Sequence, residues 1–167
     1  MTVLPEPTAN NPVERLRRQL DFVDIDPEID RGRSFGPVDP VRAHVTGWRP
    51  LRVEVHADDE PVQTSSLWQP EEDNPDVLLR LVTFESPTWH EAQECQISVL
   101  ADFQTPELAT IEDPALGEHP VGHGDTAIVT RVANLVVATR NAGRAVVPVT
   151  DFTRAVIRAM TSDPRPS

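Results

Sequence analysis

Apolar residues change their spacing several times along this chain, and each change marks an element. Asn11-Pro12-Val13-Glu14 reads as a helix start, with Asn at the cap, Pro in the first helical position and Glu in the third. Val13, Leu16, Leu20 and Val23 follow at near-helical spacing, with Arg15, Arg17 and Arg18 on other faces, and Pro27 ends the helix by Asp26. From Leu51 to His56 the pattern is strict alternation. Leu51, Val53 and Val55 share one face and Arg52, Glu54 and His56 the other, which predicts a half-buried strand. Val77 to Phe84 is a more continuous apolar strand interrupted by Arg80. Cys95 to Phe103 alternates again, with Cys95, Ile97, Val99, Ala101 and Phe103 facing inward, and predicts a third strand.

The second half is better patterned. Thr126–Val132 and Asn134–Arg140 are β-branched and apolar, so both predict strands. Asn141-Ala142-Gly143 suits a three-residue hairpin loop, and Arg144–Pro148 a short return strand at a sheet edge. Thr150 then caps a helix whose apolar stripe is Phe152, Ala155, Val156, Ala159 and Met160. Arg154 and Arg158 sit one turn apart on its outer face, and Asp151 lies near its positive end. Between these elements lie the Pro-rich stretches 24–50, 57–76 and 104–125, which predict long loops.

The element order predicts an α+β fold. Its centre is a mainly antiparallel sheet of about five to six strands, with an N-terminal and a C-terminal helix packed on one face. Residues 1–11 form an extended arm, 12–161 a single α+β domain and 162–167 a tail. At the level of topology this order resembles secretion-chaperone-like and PsbP-like small α+β domains, and that resemblance implies a fold class and no function.

Composition narrows the chemistry. The chain has 167 residues, 38% of them hydrophobic, and all 15 basic residues are arginine. The absence of lysine and tyrosine points to a high-GC bacterial genome, and it excludes Schiff-base lysine, P-loop lysine and tyrosine catalysis. A single cysteine, Cys95, excludes an internal disulfide. The N-terminal residues lack the pattern of a signal peptide, and no apolar run is long enough to span a membrane, so the expected location is the cytoplasm.

Charge is segregated. Residues 46–125 hold 17 Asp and Glu against three Arg, whereas 126–167 hold two acids against six Arg. The net charge of −12 argues against nucleic acid as a partner of the whole chain.

Two clusters resemble chemistry. Glu118-His119-Pro120-Val121-Gly122-His123-Gly124-Asp125 places two histidines and two carboxylates on a Gly-rich loop, a set able to wrap a divalent metal through His119, His123 and Asp125, with His90 as a further ligand. Its spacing matches no metal signature, and the simpler reading is a solvated turn leading into the strand at Thr126. Trp89-His90-Glu91-Ala92-Gln93-Glu94-Cys95 is similar to the zincin helix motif but carries Glu where the second histidine belongs.

No catalytic set stands out, so the expected function is a non-enzymatic protein–protein interaction module: an adaptor, a chaperone or a subunit of a larger assembly. Its partner is another protein or further copies of the chain, and no cofactor is expected. The expected contact surface is acidic and loop-rich, formed by Asp58, Asp59, Glu60, Glu71, Glu72 and Asp73 around Trp68 as anchor. The alternatives are a small metal-dependent enzyme built on the His119/His123/Asp125 loop, and an extracytoplasmic ligand-binding or sensor domain lacking its export signal.

Overall fold

The computed structural model describes residues 12–23, 25, 45–56, 58, 61–72 and 74–162. The arm 1–11, most of the 24–50 connection, Asp59, Glu60, Asp73 and the tail beyond 162 lie outside the described residues. Within them the fold is α+β. The elements run α1 (Pro12–Gln19), β1 (Trp48–His56), β2 (Val62–Pro70), β3 (Leu79–Glu85), α2 (Trp89–Ala101), β4 (Leu108–Thr110), a 3₁₀ turn (Pro114–Leu116), β5 (Glu118–His123), β6 (Ala127–Val132), β7 (Leu135–Asn141) and α3 (Thr150–Ser162). All seven strands join one antiparallel sheet in the order β1-β2-β3-β7-β6-β5-β4.

Two meanders, β1-β2-β3 and β4-β5-β6-β7, meet where β3 pairs with β7. Because side chains alternate across a strand, β7 feeds two cores. Leu135 and Val137 point to one face and pack with Trp68, Leu79, Leu81, Ile128 and the α3 residues Phe152, Val156 and Met160. Val136 points to the other face and packs with Val129, Val121, the α2 residues Ala92, Ile97 and Leu100, and Leu16 of α1. The helices therefore occupy both faces, in contrast to the one-sided packing expected from the element order. The two-residue β6–β7 turn fits its sequence only with strain, since Ala133 adopts φ 53°, a conformation favoured by Gly or Asn. Asn134 holds the turn down by donating its Nδ2–H to the Ser86 carbonyl at 2.9 Å, while Ser86 N–H donates back to Asn134 at 3.0 Å.

The segment expected as a strand from Cys95 to Phe103 is instead the end of α2 and the turn after it. Thr88 caps this helix, its hydroxyl accepting from Glu91 N–H at 3.1 Å, and Thr88 to Glu91 has the spacing of a capping box. The inward face of α2 is Ala92, Gln93, Gln96, Ile97 and Leu100. Two glutamines hold core positions because backbone acceptors await them: Gln96 donates to the His119 carbonyl at 2.8 Å and Gln93 to the Val23 carbonyl at 2.7 Å.

Three further expectations change. β2 runs through the 57–76 stretch, and β4 and β5 run through 104–125. Arg144–Pro148 forms no return strand. After β7 the chain instead lies along Asp76–Leu78, with Ala142 N–H on Leu78 and Ala145 N–H on Asp76, both at 2.8 Å. Gly143 is needed for that approach, since a Cβ there would stand 2.4 Å from the Asp76 carbonyl oxygen. The α1 helix ends at Gln19, well before Asp26, where the chain turns through Asp21 in the left-handed region.

Trp68 lies in the core, 1% exposed, with its ring edge-on to Phe152 at 5.5 Å and its Nε1–H donating to Ser66 Oγ at 2.9 Å. It is therefore unavailable as a surface anchor. Truncating so large a buried side chain removes its transfer free energy and leaves a cavity. Trp68→Ala is expected to destabilise the fold by about 3–5 kcal/mol, read as a lower urea midpoint with an unchanged slope; a loss under about 1 kcal/mol would return Trp68 to the surface.

Candidate functional site at the β1 edge

The histidine loop does not assemble a metal site. Glu118–His123 is a strand with an irregularity between Glu118 and Val121, and it hands His119 and His123 to different partners. His119 lies flat on the Phe22 ring at 3.8 Å, and its Nε2 meets Thr110 Oγ1 at 3.3 Å. His123 Nε2 pairs instead with Glu107 at 3.4 Å, and Asp125 sits exposed in the β5–β6 turn. His90 is on α2, with Nδ1 at 3.1 Å from the Ile25 carbonyl oxygen. Among the described residues no three His, Cys, Asp or Glu side chains group closely enough to hold a metal ion.

His90 and Cys95 form no nucleophile pair either. Five residues apart on a helix, they diverge by about 140° around its axis. Burial also pushes the Cys95 thiol up to about 12, so it stays protonated and unreactive.

The acidic residues are exposed but apart. Asp58 belongs to the β1–β2 turn, whereas Glu71 and Glu72 follow β2 at its other end, where Glu71 N–H donates to the Gly47 carbonyl at 2.8 Å. The strand between them spans about 27 Å, so they form two acidic ends and no single acidic surface.

What the β1–β2 hairpin does present is an edge. Among the described residues β1 is an outermost strand of nine residues and pairs only with β2. Leu51, Val53 and Val55 are 50%, 39% and 53% exposed, so the alternation that predicted a half-buried strand is correct about the strand and wrong about its burial. Sheet edges are normally blunted. The opposite edge, β4, is only three residues long. On β1, Pro50 and a register shift between Pro50 and Arg52 blunt the first half, while Arg52–His56 stays in regular register. Arg52 and Glu54 project together to the α2 side of the sheet and pair with each other at 2.6 Å. Sequence reasoning reached these residues but read their apolar face as core, because alternation is the same for an edge strand as for an inner one.

No family model, no curated protein and no solved structure matches this chain. Among the described residues, no helix is long and apolar enough to cross a membrane.

His119 ties folding to pH. Burial is the main cause holding its imidazole below the ordinary 6.5, with the positive charge of Arg131 adding to it; a hydrogen bond with the Leu20 backbone and the Asp21 carboxylate oppose the shift. The unfolded chain thus takes up a proton before the folded one does. The contribution of neutral His119 is complete above about pH 6.5 and is lost as pH falls from there through the lower folded value. His119→Asn, which tolerates the positive φ of that position, removes the titrating ring. Between about pH 7.5 and 5.5 the wild-type denaturant midpoint is expected to fall more than that of this variant, and equal falls would rule out His119 as the source.

Proposed function

We propose that the protein is a non-enzymatic protein-binding module that takes an extended protein segment onto the free edge of β1. One observation carries this reading: an outermost strand of nine residues with Leu51, Val53 and Val55 exposed and, among the described residues, no strand paired on its outer side. Backbone hydrogen bonds supply the affinity in this mode of recognition, and the alternating side chains choose the partner. Asp58 and Glu71–Glu72 flank the contact at the two ends of the hairpin and lie outside it.

The charge order along β1 favours one partner over others, a second copy of the chain. An antiparallel neighbour centred on Val53 sets Val53 against its own counterpart and Leu51 against Val55. The same register sets Arg52 of each copy opposite Glu54 of the other. The strand is self-complementary in both apolar and charged positions. Each opposite-charge cross-strand pair contributes about 0.2–1 kcal/mol, and two-fold symmetry repeats it.

The test is a charge swap read by sedimentation velocity over a concentration series. Arg52→Glu places like charges opposite each other in both halves of the contact and is expected to weaken self-association about tenfold or more. Glu54→Arg should do the same. Combining the two restores opposite charges and should recover most of the wild-type affinity. A wild-type chain that remains monomeric at several hundred micromolar, or single and double variants that associate alike, would count against pairing through β1.

A further inference from the structure

The open half of the sheet carries a second feature, independent of the β1 edge. On the α2 side, α1 and α2 cover β5, β6 and β7, whereas among the described residues no helix lies above β1, β2 and the outer part of β3. Register places the side chains of this open area in rows across the strands. Arg52, Leu67, Arg80 and Arg140 form one row, and Glu54, Ser65, Val82 and Ala138 form the next. Arg80 and Arg140 are therefore directly opposite each other on neighbouring strands at the centre of the sheet.

That pairing opposes stability. Directly opposed residues bring their Cβ atoms within about 5 Å, and like charges there repel. Elsewhere the chain neutralises its partly covered arginines: Arg17 with Glu94 and Glu14, Arg131 with Glu118, Arg154 with Asp113 and Asp151. Among the described residues Arg80 is the one arginine short of full exposure without a carboxylate partner, and its guanidinium donates only to Ser65 Oγ, at 3.1 Å. Arg140 is exposed and forms no ion pair there.

Beside the two arginines the surface becomes apolar. Val82, Phe84 and Ala138 form a floor, and Val99 and Phe103 of α2 and its following turn form a wall. Together with Gln63 and Arg140 they enclose an open cavity of about 450 Å³. A smaller recess of about 140 Å³, lined by Arg52, Glu54, Ser65, Ser66, Leu67 and Arg80, adjoins it across the same rows, and its one carboxylate, Glu54, is paired with Arg52 at 2.6 Å. Asp102 is the acid in the larger lining, and it stays unpaired with Arg140.

We propose that Arg80 and Arg140 bind the head group of an amphipathic carboxylate whose apolar body lies in the trough over Val82, Phe84 and Ala138. The head group supplies the negative charge that the sheet withholds from this pair, and planar guanidinium forks match a carboxylate. The trough lies within the usual size range of small-molecule sites and requires an apolar extension. The Asp102 carboxylate in the same lining selects against a second anionic group.

The full chain, labelled for amide NMR, is titrated with decanoate below its micelle-forming concentration, with acetate as head group alone and decanol as tail alone. Decanoate is expected to shift the amides around Arg80, Val82, Ala138 and Phe103 saturably, with acetate and decanol each at least tenfold weaker. Arg140→Glu should abolish the decanoate response. It should also raise the urea midpoint of the ligand-free protein, because it replaces repulsion across β3–β7 with attraction. Acetate binding as tightly as decanoate would overturn the amphipathic ligand, and decanoate shifts that survive Arg140→Glu would overturn the site. A lower ligand-free midpoint for that variant would overturn the like-charge argument on which the site rests.

Discussion

The pairing of Leu79–Glu85 with Leu135–Asn141 is the joint on which both cores depend. It is the single seam between the two meanders, and it pairs strands far apart in sequence, so closing it orders a long loop of chain. The return comes from both sides at once. Leu79, Leu81, Leu135 and Val137 meet α3, while Val136 meets α2 across the same backbone. Fully buried apolar side chains each contribute about 1.5–3 kcal/mol, so a strand apolar on both faces at the centre of the sheet is the arrangement that supports helices above and below.

This accounts for which parts of the chain were legible in advance. β6, β7 and α3 were, because their buried positions are filled by Val, Ile, Leu, Phe and Met at clean spacing. α2 was not. Its core stripe includes Gln93 and Gln96, and Cys95, Ile97 and Val99 mimic the alternation of a strand. The Thr88–Glu91 capping box is the available signal, and it stands between two stretches that both pattern as strands. β2 was missed for a related reason. The residues it buries beside Trp68 on the α3 side are Thr64 and Ser66, and buried hydroxyls do not read as hydrophobic. The histidine loop is a strand because its backbone pairs with β4 and β6, and its rings meet Phe22 and Phe103 from distant segments that no local pattern reveals.

The segregation of charge along the chain also takes on structural meaning. The arginine-rich C-terminal part is tied to the acidic middle at two places. Arg131 pairs with Glu118 across the β5–β6 register at 2.9 Å, and Arg154 of α3 reaches Asp113 beside the 3₁₀ turn at 2.8 Å. The Arg154 guanidinium holds the Asp113 carboxyl below its ordinary 3.8, helped by the Ala115 backbone N–H. Part of the asymmetry is thus internal attraction between two segments of one fold. Asp58 and Glu71–Glu72 stand outside these pairings, at the ends of the hairpin that also carries the exposed edge.

The limited reach of α2 explains why the arginine pair and its trough stay open beside the first meander, whose edge strand turns Val53 and Val55 to the opposite, α3 face. α2 must carry the chain from the centre of the sheet to its far edge, so it crosses β7 and β6 and moves away from β1 and β2. Nothing in that path covers the α2 side of the first meander. Its side chains there are correspondingly mixed, with Arg52, Glu54, Ser65 and Arg80 beside Leu67, Val82 and Phe84. A protein that needed only stability would have an acid opposite Arg80 and charged residues in place of Val53 and Val55. Retaining a like-charge pair inside the sheet and a bare apolar edge beside it costs stability in two separate ways. Both costs fall within the half of the fold that the crossover helix leaves open, and that coincidence is the structural argument for placing binding there.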